Sequence, residues 1–179
     1  MNDYHLFYRF TDFYLFRERC NNFYFLGLRL HILREKLKLF VKSKIDSFRS
    51  ESRRKSVPVT DGLIRAESCN AVRAIPLASI EDYIRNCKLP SWQDSWWCFA
   101  RVFSKTEKNF VFRDEDDADV LAYLQIIVSC NLFSQELCLK AYPVIEIRNS
   151  YCHSPNFQLA TERLKLQFLT IQGLEELIV

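Results

Sequence analysis

Between Phe23 and Phe48, five apolar residues recur at four-three-four-three spacing: Leu26, Leu30, Leu33, Leu37 and Phe40. Only an α-helix brings such positions onto one face, so the pattern is the seam of a heptad. Leu28, Ile32 and Leu39 widen the stripe into a core-facing surface, while Arg29, Arg34, Lys36, Lys38, Lys42 and Lys44 occupy the remainder. A helix with an apolar side this broad needs other elements to cover it. The seam is too short to stand as an independent coiled coil. The spacing therefore predicts a long core helix with a basic outer side, bounded on its N-terminal side by a break at Asn21-Asn22.

The rest of the chain is expected to supply further helices. Three Gly and five Pro among 179 residues leave few punctuated turns, which disfavours a many-stranded sandwich. With 49% hydrophobic and 15% aromatic residues, the chain has material for a core. An aromatic-rich stretch, residues 3–19, carries Phe7, Phe10 and Tyr14 at helical spacing and reads as a core or interface helix. Ser79 precedes acidic residues in the manner of an N-cap, with a helix ending near Lys88, before Pro90. Helices are also expected over Ala118–Cys130, from Ser134 as N-cap up to Arg148 with Pro143 inside, and over residues 157–178 after Ser154-Pro155. The expected fold is mainly α, a single domain over residues 1–179 forming a bundle of about four to six helices. Residues 95–113 are open between a small β-hairpin and an irregular insertion made of a short helix and a loop. Residues 47–60 read as a basic loop, and residues 59–115 as an unassigned, insertion-like region, weakly patterned over 59–78.

Several function classes lose support. The seven Cys are odd in number, lack any CxxC and are irregularly spaced, as expected of reduced packing thiols in a cytoplasmic protein. No zinc-ligand spacing occurs, so no metal and no cofactor is expected. Charges interrupt every early apolar run, which disfavours an export signal or a membrane span. The net charge of +3 is unevenly distributed. Residues 1–58 hold 13 Lys/Arg against 6 Asp/Glu, a net +7, and the remainder is −4. Two readings follow: a face that attracts a polyanion, with Arg53, Arg54 and Lys55 as candidate RNA-phosphate contacts, or a solvated helix. The acidic run Asp114–Asp119 reads as the N-terminal side of a helix, where the dipole favours carboxylates.

One six-residue stretch carries candidate chemistry: Arg148-Asn149-Ser150-Tyr151-Cys152-His153. Histidine moves protons near neutral pH. Arginine offers a permanent cation and a fork of donors suited to phosphate. Five residues along a straight helix subtend about 140°, so both side chains can meet one substrate only where the helix bends or ends. The bland alternative is Arg148 at a helix C-terminus and His153 on the surface.

In its order of parts, the stretch from Leu121 to Pro155 resembles the HEPN superfamily of helical domains, many of which are ribonucleases. A helix, a short turn at Asn131–Ser134, and a second helix lead into Ile147-Arg148-Asn149 and then His153-Ser154-Pro155. The resemblance implies a metal-independent endoribonuclease of the toxin or phage-defence kind, acting as a homodimer on RNA, with a protein antitoxin as a further partner. In that scheme Arg148 and His153 are catalytic and Asn149 orients them. Attack by the ribose 2′-OH would leave a 2′,3′-cyclic phosphate. Pro143 and Cys152 depart from the family's pattern, and some members are noncatalytic. The alternative is a noncatalytic nucleic-acid-binding or regulatory adaptor with a helical dimer interface.

Overall fold

The computed structural model describes residues 4–54, 95–100, 103–104 and 114–178, with residues 4–13 and Arg53 described by backbone only. Five helices occur among them: α1 (Tyr4–Arg54), α2 (Trp96–Ala100), α3 (Val120–Ser129), α4 (Gln135–Cys152) and α5 (Thr161–Glu175). No strand appears among the described residues, and the fold is all-α.

Helix α1 is the frame. Its 51 residues reach about 76 Å at 1.5 Å per residue. Four of the five predicted seam residues, Leu26, Leu30, Leu33 and Leu37, are buried; Phe40 is half-buried, and Val41 and Ile45 continue the inner face instead. Burial of side chains of this size contributes about 1.5–3 kcal/mol each as an upper estimate, so this one stripe outweighs any set of surface ion pairs. It meets the densest part of the core, where Tyr123, Leu124, Ile126 and Ile127 of α3 are fully enclosed.

The expected break at Asn21-Asn22 is absent, and the helix runs through both residues. Asn22 is instead buried, and its amide donates to the Leu159 carbonyl (3.1 Å) and the Thr161 hydroxyl (2.9 Å). A polar pair that resembles a chain break is thus a tether for the loop before α5. Residues 47–54, read from the sequence as a loop, continue α1 as helix. Part of the reason is packing: Ser52 and Arg49 are buried, Arg49 pairs with Asp46, and Phe48 meets Phe99 of α2. That α2 helix decides the start of the 95–113 segment in favour of helix. Residues 105–113, and the helix expected from Ser79, lie outside the described residues.

Local chemistry sets the remaining ends. Asp119 caps α3 by accepting from the Ala122 amide (3.1 Å), and Ser134 caps α4 by accepting from the Leu137 amide (3.3 Å). The short turn between them makes α3 and α4 antiparallel neighbours. There the Cys138 thiol donates to the Ile127 carbonyl (3.3 Å), and burial pushes its pKa up, as suits an unreactive packing thiol. Pro143 lies inside α4, which runs unbroken from Gln135 to Cys152. It lies on the exposed side, one turn after exposed Leu139, where the unpaired carbonyl can meet water. Helix α5 begins at Thr161 rather than residue 157, because the Ser154-Pro155 cap is not used; Ala160 holds the N-cap position without a side-chain bond. Asn22 and Glu18 of α1 meet Thr161, and Arg29 meets Glu175, so α5 runs in the same direction as α1.

Charge is matched inside the molecule. The acidic run is a loop clipped to α1, with only Asp119 serving as a helix cap. Arg34 donates to the carbonyls of Ala118 (2.6 Å) and Asp116 (2.5 Å), and Lys38 pairs with Asp116. Their hydrogen bond holds the Asp116 carboxyl below its usual range and raises Lys38. Asp114 closes the loop on itself by accepting from the amides of Asp116 and Asp117, both at 2.9 Å. At the other end, Glu175 of α5 is buried and bound by Arg29, with Lys36 Nζ 3.4 Å from its second oxygen. Removing one partner of a buried pair leaves an uncompensated charge, usually costing ~3–5 kcal/mol. Lys36 softens that here. We expect Arg29→Met to destabilise by about 2–3 kcal/mol in urea unfolding, and Arg29→Met/Glu175→Met to destabilise less than the single variant.

Candidate functional site

The Arg148–His153 segment forms the last turn of α4 and its cap. Ile147 points inward and is buried, which turns the next residue toward the side of the bundle where α3 begins. Arg148 reaches Asp119 there, pairing through Nη2 with Oδ2, while Nη1 donates to Asn149 Oδ1 at 3.3 Å. Its side chain keeps 21% of its surface. Asp119 therefore has two tasks. One oxygen caps α3, and the other neutralises Arg148. The ion pair ties the end of α4 to the start of α3.

His153 occupies the C-cap of α4, where its backbone N–H donates to the Asn149 carbonyl at 3.0 Å. The side chain is exposed and has no hydrogen bond or ion pair to Arg148 or Asn149. The helix remains regular through Cys152, so the half-turn offset expected from helical geometry stands: Arg148 is directed at α3, and His153 lies in solvent. The structure brings Arg148 and Asn149 together and leaves His153 apart. Cys152 is also exposed.

Tyr151 faces the opposite neighbour. Its ring stacks on Phe23 of α1 with centroids 4.2 Å apart, and Phe157 closes edge-on to Phe23 at 5.4 Å. Phe157 holds a positive φ of 49°, uncommon for an aromatic residue, in this arrangement. Burial raises the Tyr151 pKa. The Tyr151 hydroxyl end lies directly over Gly27 of α1, and a Cβ on that glycine would sit 2.9 Å from Tyr151 Cζ. Close approach, rather than backbone conformation, is what requires glycine there. Beneath the tyrosine is a cavity of about 40 Å³ bounded by Phe23, Leu26, Tyr151, Leu159, Arg163 and Gln167. It has room for water but falls far short of the ~300 Å³ of a small-molecule pocket.

The proposed RNA contacts are placed only in part. Arg53 and Arg54 end α1; Arg54 is exposed, whereas the Arg53 side chain and Lys55 lie outside the described residues. Arg54 shares an open groove with Asp46 and Glu51, so the described part of that surface is of mixed charge. Five cations of α1 are engaged by acids or carbonyls of the same chain: Arg29, Arg34, Lys36, Lys38 and Arg49. Sequence reading missed this matching, though the signal was present. Arg34 and Lys38 are one turn apart on the face that meets the acidic run. Among the described residues, no group of three or more His, Cys, Asp or Glu could hold a metal ion, and no helix is long and apolar enough to cross a membrane.

Two substitutions separate the roles of these residues. Arg148→Met removes the α3–α4 ion pair and is expected to cost ~1 kcal/mol, whereas Asp119→Ala also loses the cap and should cost about 2 kcal/mol in the same denaturation assay. Gly27→Ala should destabilise by ~1–3 kcal/mol by displacing the tyrosine, with part of the loss recovered when Tyr151→Phe is added.

No curated protein and no solved structure matches this chain. A family model, described as "Domain of unknown function (DUF4559)", matches residues 79–178. That match corrects the resemblance to the HEPN superfamily, which rested on six residues and an order of helices common to many bundles. The segment carrying Arg148, Asn149 and His153, together with the two helices flanking it, lies within a different family's domain. The chain belongs to the family described as domain of unknown function DUF4559.

Proposed function

We propose that this chain is a noncatalytic helical adaptor that works by helix pairing through the outer face of α1. One observation carries the reading. Behind the buried seam, α1 has a second apolar stripe, Phe25, Leu28, Ile32 and Leu39, that no described residue covers. Sequence reading assigned Leu28, Ile32 and Leu39 to the core because they widen the first stripe. Their exposure instead gives the helix two apolar faces. Contiguous apolar surface of this kind marks interaction sites in folded chains.

The chemistry at the end of α4 supports the same reading. Metal-free cleavage of RNA needs an uncommitted cation near the phosphate and a base close to the 2′-OH. Arg148 is committed to Asp119, and among the described residues the exposed His153 side chain has no partner to orient it. The competing reading, a metal-independent ribonuclease using Arg148, Asn149 and His153, requires Arg148 to leave its carboxylate and turn toward the histidine.

Single-stranded RNA incubated with the full chain in EDTA distinguishes the two. The adaptor reading expects no cleavage that differs between wild type and His153→Ala. Cleavage by wild type that falls by a factor of ~100 or more in His153→Ala, within the range of general acid–base contributions, would overturn it.

A further inference from the structure

We infer that the occupant of the outer α1 stripe is the same stripe of a second copy, making the chain a two-fold dimer through α1. The inference rests on the adaptor reading and names its partner. Phe25, Ile32 and Leu39 recur every seven residues, and Leu28 falls between the first two at a three-four step. Positions seven apart drift only about 20° around a helix, so these residues form one seam that another helix can follow. Their exposures are 51%, 40%, 69% and 44% in the order Phe25, Ile32, Leu39 and Leu28, and Tyr24 beside them is exposed as well.

Charge selects the kind of partner. Arg29 and Lys36, on the side of the seam toward α5, are both engaged by Glu175. On its other side Lys38 pairs with Asp116, and within the seam Glu35 pairs with Arg34. Most of this charge is met within the chain, although Arg29 and Lys36 share one carboxylate and exposed Lys42 meets the Trp96 ring. A strongly acidic helix or a polyanion would find few uncommitted cations along the seam, whereas an identical seam can approach with little like-charge repulsion. A two-fold interface uses one patch twice, and a mainly apolar stripe satisfies that self-complementarity.

The available area is of the right order. Five large side chains exposing about half their surface amount to roughly 500 Å² at ~200 Å² each. Stable interfaces bury ~800 Å² per partner, and the aliphatic stems of flanking residues can supply the difference. The aromatic N-terminal part of α1, where Leu15 and Phe16 are exposed on differing sides, continues along the same helix.

Sedimentation equilibrium of the full chain over a range of concentrations tests the inference. The wild type is expected at twice its 21.3 kDa mass, dissociating on dilution. Leu28→Lys/Ile32→Lys should sediment as a monomer with an unchanged helical circular dichroism spectrum. Leu39→Lys, at the most exposed position, should weaken association at least tenfold and keeps the test intact if the double variant unfolds. A wild type that remains at 21.3 kDa throughout, or seam variants that associate as wild type does, would overturn the dimer. A monomer without His153-dependent RNA cleavage sinks this inference alone; a dimer showing such cleavage sinks the adaptor reading alone.

Discussion

The bundle depends on the burial of one side of α1. Leu26, Leu30, Leu33, Leu37, Val41 and Ile45 give α3 and α5 a common surface, and every other contact is placed relative to it. The acidic loop at 114–117 reaches Arg34 and Lys38 because α3 begins beside that part of the seam. Glu175 reaches Arg29 and Lys36 because α5 follows α1 in the same direction along its other flank. The end of α4 is fixed twice, by Tyr151 against Phe23 on one side and by Arg148 against Asp119 on the other. The hydrophobic seam sets the arrangement, and the ion pairs fix its register.

That arrangement accounts for the charge asymmetry. A basic first third and an acidic remainder look like a polyanion-binding helix joined to an acidic domain. In the folded chain much of the opposition is internal. The acids gather where α1 passes, at the loop before α3 and at the end of α5, and hold cations that would otherwise line an outer surface. The same matching leaves little uncommitted charge beside much of the second apolar stripe of α1.

Much of the fold was legible because helices declare themselves by period. Most of the seam of α1, the cap Ser134 and the turn between α3 and α4 all follow from residue spacing and capping chemistry. What local pattern could not decide were features set by long-range contacts. Asn21-Asn22 has the composition of a break, yet Asn22 is retained within the helix by partners 137 and 139 residues away. Leu28, Ile32 and Leu39 match the core stripe by spacing, but the other helices cover only one side of it. At the candidate site, letters and geometry diverge most. Arg148, Asn149 and His153 were recognisable as a chemical set, but nothing in their spacing revealed that Asp119, 29 residues upstream, holds the arginine.

Internal charge matching is the central claim, and RNA affinity measured across a salt series tests it most directly. If Arg29, Arg34, Lys36, Lys38 and Arg49 are held by the chain's own acids and carbonyls, the salt slope of binding to single-stranded RNA should not change when Lys36 and Lys38 are replaced by Met. A salt slope that falls by the release of about two counterions in Lys36→Met/Lys38→Met would contradict it, because that requires those cations to be free for phosphate.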